Sequence, residues 1–168
     1  MGLSTIKLNI LCALLLGAGA AHAKVDPAQV ERQVVRDTNE FRKENGLEAA
    51  GPASALRRTA EEFAEYMART DKYGHEADGR TPGERAKRGG YDWCRVSENI
   101  SYQWSSHDFD TTELARRLVE GWKKSPGHRR NMLDPKVTET AVAVARSAKS
   151  GKYYAVQMFG RPRGRGGC

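Results

Sequence analysis

The chain has 168 residues, with 28 Lys and Arg against 21 Asp and Glu and a net charge of +7. That length suits one domain around one core, and no segment after residue 23 is apolar enough to span a bilayer. The basic residues are spread along the chain with no repeat and no alternating basic and aromatic run, which argues against specific nucleic-acid recognition.

Lys7 is the only charge before Lys24, Leu8 to Leu16 are nearly all apolar, and Ala21-His22-Ala23 is a small-x-small cleavage pattern. Residues 1–23 therefore read as a secretory signal peptide, too short for a membrane anchor, and the expected location is secreted or periplasmic. A basic exported chain can dwell near acidic envelope polymers or anionic lipid.

The first helix opens at Asp26-Pro27, an N-cap followed by proline at the first helical position. It carries Val30, Val34, Thr38 and Phe41 at helical spacing and stops at Asn45-Gly46. A second helix is expected over 54–70, with Leu56, Ala60, Phe63, Ala64 and Met67 inward, and Tyr73-Gly74 then delivers His75. Thr81-Pro82-Gly83-Glu84 has the form of a capping box for a short third helix ended by Gly89-Gly90. A strand is expected from Glu98 to Trp104. A helix then runs from Thr111 to Lys124 with Leu114, Leu118 and Trp122 inward, broken by Pro126-Gly127. Ala141 to Ser147 and Lys152 to Gly160 alternate as two strands of a hairpin joined by Lys149-Ser150-Gly151.

This order predicts an α+β domain over 24–160, with two helical layers burying both faces of a central antiparallel sheet. Residues 161–168, Arg-Pro-Arg-Gly-Arg-Gly-Gly-Cys, lack an apolar anchor and read as a flexible basic tail. Cys12 leaves with the signal segment. The even remainder, Cys94 and Cys168, suggests one disulfide in an exported protein, the alternative being a fraying tail with an exposed thiol.

Three polar residues stand in turn or capping contexts: His75 after Gly74, Glu98 between Ser97 and Asn99, and His128 after Ser125-Pro126-Gly127. Taken singly, each has a bland reading as a surface or capping group. Together, two imidazoles and a carboxylate are what a divalent transition metal takes as donors.

The segments His75-Glu-Ala-Asp-Gly-Arg-Thr-Pro-Gly-Glu-Arg, Ser97-Glu-Asn-Ile-Ser, Trp122-Lys-Lys-Ser-Pro-Gly-His-Arg-Arg-Asn-Met-Leu and Tyr153-Tyr-Ala-Val-Gln-Met-Phe-Gly carry a resemblance in order and spacing over the whole chain after the signal segment. The chain resembles a bacterial member of the CAP superfamily, which unites cysteine-rich secretory proteins, venom antigens and plant pathogenesis-related proteins. The resemblance implies an α-β-α sandwich and a shallow cleft of two histidines and two glutamates, here His75, His128 and Glu98. The second glutamate of many members falls on Ser125. Three groups are fewer than a closed zinc site needs, so water completes the shell, Glu84 or Glu76 stands in, or binding is weak. Ser97 and Ala141-Val142-Ala143 also depart from the glycine-rich pattern.

Three functions follow as expectations. The favoured one is a monomeric, non-catalytic binding module with a zinc-type cleft that recognises a lipid, an envelope component or a protein partner; relatives are variously associated with lipids and sterols. The second is a metal-dependent, peptidase-like hydrolase with Glu98 or Glu84 as base. The third is a structural or inhibitory surface protein in which the His and Glu set only fixes loops.

Overall fold

The computed structural model describes residues 25–164 and residue 168. The signal peptide read at 1–23 lies outside the described residues. The elements in chain order are α1 (Pro27–Glu44), β1 (Gly51–Pro52), α2 (Ser54–Thr70), α3 (Pro82–Arg88), β2 (Trp93–Gln103), α4 (Thr111–Lys124), α5 (Pro126–Met132), β3 (Glu139–Arg146) and β4 (Tyr153–Pro162). None of the described helices is long and apolar enough to cross a membrane.

Local chemistry explains the helix ends. Asp26 accepts hydrogen bonds from the backbone N–H groups of Ala28 and Gln29, and Pro27 needs no donor of its own. Asn45 caps α1, and Gly46 takes the left-handed conformation that follows, at φ 75°. The capping box on α3 is complete, with Thr81 and Glu84 bonding each other's backbone N–H. Asp71 ends α2 in a left-handed conformation, held by Ser150 Oγ at 2.6 Å and the Tyr154 hydroxyl at 3.2 Å. This places the chain reversal at Asp71, two residues ahead of the expected Tyr73-Gly74.

The sheet order is β1-β3-β4-β2. The three long strands are antiparallel as expected, but β1 joins β3 in parallel through Gly51 and Pro52, so the sheet is mixed. Alternate residues of β3 and β4 serve two cores. Val142, Val144, Tyr153, Ala155 and Phe159 pack with α1 and α4. Ala141, Ala143, Tyr154, Val156 and Met158 pack with α2 and α3. Both faces are therefore covered, and the domain is an α-β-α sandwich.

Four boundaries differ from the expectation. β2 begins at Trp93, because its ladder with β4 continues past Glu98. Pro126-Gly127 does not only break α4; it opens the short helix α5, with Pro126 at its first position. β3 starts at Glu139, where β1 and the end of β4 both reach it. β4 runs on to Pro162, two residues into the segment expected to be a flexible tail. Beyond it, Arg163 N–H donates to Asp92 O at 2.9 Å. Cys168 is bonded to Cys94, the extra residue of a β-bulge between Trp93 and Arg95.

α5 is fixed from below by Arg42. Its guanidinium, buried under the α1–α4 core, donates to the carbonyls of Glu48, Met132, Asp134 and Val137. Four carbonyl acceptors replace the water lost on burial. The result holds the end of α1, the end of α5 and the approach to β3 in one place.

Candidate functional site

Glu98 lies in the middle of β2 on the face that also carries Val96 and Ile100, toward α2 and α3. Its side chain has no exposed area. A carboxylate so placed must be paired. Arg85 Nη2 donates to both of its oxygens, at 3.0 and 2.8 Å, and His75 Nδ1 lies 2.8 Å from Oε1. Since a carboxylate paired with arginine accepts, His75 donates from Nδ1, and in the neutral form of the ring Nε2 is the lone-pair nitrogen.

Arg85 is itself a junction. It comes from α3, whose orientation the Thr81–Glu84 capping box sets. Nη1 donates to Asp78 Oδ1 at 2.7 Å and to Arg80 O at 2.6 Å, and Nη2 also donates to His75 O at 2.7 Å. The guanidinium carbon stands 3.5 Å from the centroid of the Phe63 ring of α2. The loop that carries His75 is thus fastened at its main chain and its side chain by the same arginine and glutamate pair.

His128 arrives from the first turn of α5. Its carbonyl accepts from Asn99 Nδ2 at 3.2 Å. Asn131, one turn further on, donates to Glu98 O at 3.2 Å and to Asn99 Oδ1 at 2.9 Å. These amides lock α5 onto β2. The two imidazole rings end with centroids 6.4 Å apart and planes tilted by 56°. His75 is half-exposed while His128 is more enclosed. Burial, with a smaller contribution from neighbouring His75, holds His128 below the ordinary imidazole range and favours its neutral form.

The structure thus brings His75, His128 and Glu98 to one place, but with unequal roles. Both Glu98 oxygens accept from Arg85, and one also faces His75 Nδ1. Among the described residues no group of three or more His, Cys, Asp or Glu side chains is arranged to hold a metal ion. Glu84 does not enter the site: its Oε2 accepts from Thr81 N and Oγ at 2.8 and 2.9 Å, on the exposed side of α3. Glu76 is exposed. Ser125 sits between α4 and α5, at the N-cap position of α5 but without a side-chain cap bond. Sequence reasoning missed Arg85, Asp78, Asn99 and Asn131 as members of the site. The one available signal was Glu98 itself, a charge within an otherwise apolar strand face that requires a cation from elsewhere.

The family profile described as the cysteine-rich secretory protein family, CAP, matches residues 35–159, and the chain belongs to that family. No curated protein sequence matches it. Among solved structures, an outer surface protein of Borrelia burgdorferi is similar at 18% identity with a TM-score of 0.72, over 84% of this chain and 99% of that one. An extracellular protein containing an SCP domain from Bacillus anthracis is 26% identical with a TM-score of 0.66, over 80% of this chain and 41% of its own. A cysteine-rich secretory protein of Staphylococcus aureus is 20% identical with a TM-score of 0.61, over 83% and 41%. The present chain therefore spans about two fifths of the latter two.

Proposed function

We propose that this CAP domain is an exported, non-catalytic binding module whose two imidazoles take a divalent transition metal such as zinc beside the surface that meets a lipid, an envelope component or a protein partner. The observation that carries the reading is the His75–Glu98 pair. A metal-ligating histidine characteristically donates its other ring nitrogen to a carboxylate, which fixes the tautomer and raises the basicity of the ligating nitrogen. Glu98 stands in that relation to His75, and His128 offers a second, enclosed imidazole next to it. The donor set fits an open two-histidine site with solvent completing the shell, and the guanidinium beside Glu98 limits its charge and so its affinity. The metal would supply a Lewis-acidic anchor for an oxygen or nitrogen donor on the bound partner. Export is supported by the Cys94–Cys168 disulfide and by the extracellular description of the Bacillus relative.

The two carboxylates expected to act as base in the hydrolase reading are both engaged elsewhere. A carboxylate serving as general base must be free and near the reacting proton. Glu98 is wholly buried and held by Arg85, and Glu84 is held in the capping box. The architectural reading does have its own observation, the Arg85, Glu98 and Asn131 network that ties the His75 loop and α5 to β2.

Calorimetric titration of zinc into the wild-type protein and into a His75→Ala/His128→Ala double variant separates the two. Saturable heat from the wild type alone is expected. Equal heat from both would remove the metal site, and unchanged melting on chelation together with a lower Tm for His75→Ala would make the cluster architectural.

A further inference from the structure

Four exposed arginines gather where α5 meets the start of β2. Arg129 and Arg130 come from α5, Arg95 follows the bulge at Cys94, and Arg161 of β4 stands directly opposite Arg95. Arg161 follows Phe159 by two positions and so faces the side of the sheet that carries α1 and α4. Arg95 faces that side too, because its Nε donates to Asp134 Oδ2 beyond the end of α5. Like charges directly opposite on one face of an antiparallel pair repel each other.

The neighbouring acids do not answer this charge. Arg95, Arg129 and Arg130 line one recess of about 590 Å³, and Asp134 is the acid that lines it with them. Both Asp134 oxygens are used, Oδ2 by Arg95 and Oδ1 by Lys136 N–H at 2.9 Å. Among the described residues, no carboxylate pairs with Arg129, Arg130 or Arg161, and the two Nη groups of Arg95 have no acceptor. The Arg129 guanidinium carbon lies 4.9 Å from the Phe41 ring centroid. A guanidinium over an aromatic ring keeps the N–H groups on its edge free to donate.

This chemistry selects the occupant. A carboxylate is planar, and one guanidinium fork satisfies it. Three guanidiniums on one recess suit a group that offers three acceptor oxygens in different directions, which is a phosphate ester. Small-molecule pockets run from roughly 300 to 1,000 Å³, so there is room for the carbon of the ester, against Pro126, Leu133 and Pro135. A second copy would bring the same cations against these, and like-charge juxtaposition opposes that contact.

We propose that this recess binds a phosphate ester, with Arg95, Arg129 and Arg130 donating to the phosphoryl oxygens and Arg161 adding to the positive field. Glu98 lies on the opposite face of β2, among the residues packed toward α2 and α3. The site is therefore separate from the His75–Glu98 pair and requires no metal. The ester is either a soluble molecule or the headgroup of a lipid.

The test titrates glycerol phosphate into the protein at constant ionic strength set with chloride, read by proton–nitrogen correlation spectra that include the arginine Nε–H signals. Saturable shifts at Arg95, Arg129 and Arg130 are expected. Arg129→Ala and Arg130→Ala are each expected to weaken binding about tenfold or more, and Arg130→Lys, which keeps the charge and loses the fork, about fivefold. Zinc titration of Arg130→Ala is expected to match wild type, so failure here and failure of the metal reading are told apart. Flotation with phosphatidylcholine vesicles carrying phosphatidate at about one lipid in five identifies the source. Flotation that Arg130→Ala abolishes places the phosphate on a lipid, and binding of glycerol phosphate without flotation places it in solution; either outcome upholds the site. The proposal fails if the shifts follow ionic strength alone, if Arg130→Lys binds as tightly as wild type, if a glutamate-rich peptide of equal charge binds as tightly as the ester, or if sedimentation shows the ester joining two copies.

Discussion

Arg85 Nη2 bridges both oxygens of Glu98, at 3.0 and 2.8 Å, in a pair whose side chains are 6% and 0% exposed. The pair joins α3 to β2, and through His75 O and His75 Nδ1 it fixes the loop between α2 and α3 as well. Removing one partner of a buried ion pair leaves an uncompensated charge. Arg85→Met is therefore expected to lower unfolding free energy by about 3–5 kcal/mol, measured by urea titration. An Arg85→Met/Glu98→Leu double variant is expected to recover much of that loss, since neither charge is then stranded.

If Glu98 orients His75 for a metal, Glu98→Gln should act on affinity without abolishing it. A reduction of about 10–100-fold in zinc affinity is expected, against loss of measurable binding for His128→Ala. Competition with a chromophoric chelator at neutral pH reads both. Equal affinity in Glu98→Gln and wild type would show that the carboxylate has no part in the site.

The Cys94–Cys168 bond closes a loop across 74 positions and pins the end of the chain to the bulge at the start of β2. Cys94→Ser/Cys168→Ser is expected to lower stability by about 2–4 kcal/mol. The expected difference appears as a lower urea midpoint under non-reducing conditions and vanishes when the wild type is reduced.

Thr81 is expected to matter more than an exposed threonine usually does, because its capping box aims the helix that carries Arg85. Thr81→Ala is expected to cost about 1 kcal/mol in urea unfolding. Its zinc affinity should match that of wild type, because Glu84 is a capping residue and no part of the imidazole site.

Stability should also fall in alkali. Burial is the largest cause raising Tyr73, Tyr91, Tyr153 and Tyr154, and Tyr154, also beside Asp71, is pushed up to about 12. A phenol raised in the folded state is still protonated when the unfolded chain has begun to ionise near pH 10. Its stabilising contribution is complete below that pH and is lost as pH climbs toward the folded value. Tm measured between pH 8 and 11.5 is expected to drop, and Tyr154→Phe is expected to flatten the slope above pH 10.

Much of this protein is written locally. Asp26-Pro27, Thr81 with Glu84, and the 3.6-residue spacing of Val30, Val34, Phe41 or of Leu114, Leu118, Trp122 mark α1, α3 and α4 without reference to anything distant, because capping and amphipathic burial act within a few residues. The alternation in β3 and β4 likewise announces two strands, while the covering of both their faces follows from the helices on either side. The segments around His75, Glu98 and His128 identify the family and the residues that meet.

Partnership is another matter. That Arg85 takes the Glu98 oxygens follows from where α3 lands against β2. That β1 joins β3 in parallel and stops after two residues follows from the turn into α2, and further along β3 the Val144 N–H is met by the Glu31 side chain of α1. Such pairings join residues tens of positions apart. Their energies depend on burial and approach distance that exist only once the layers have packed, so no periodicity or spacing along the chain encodes them one by one.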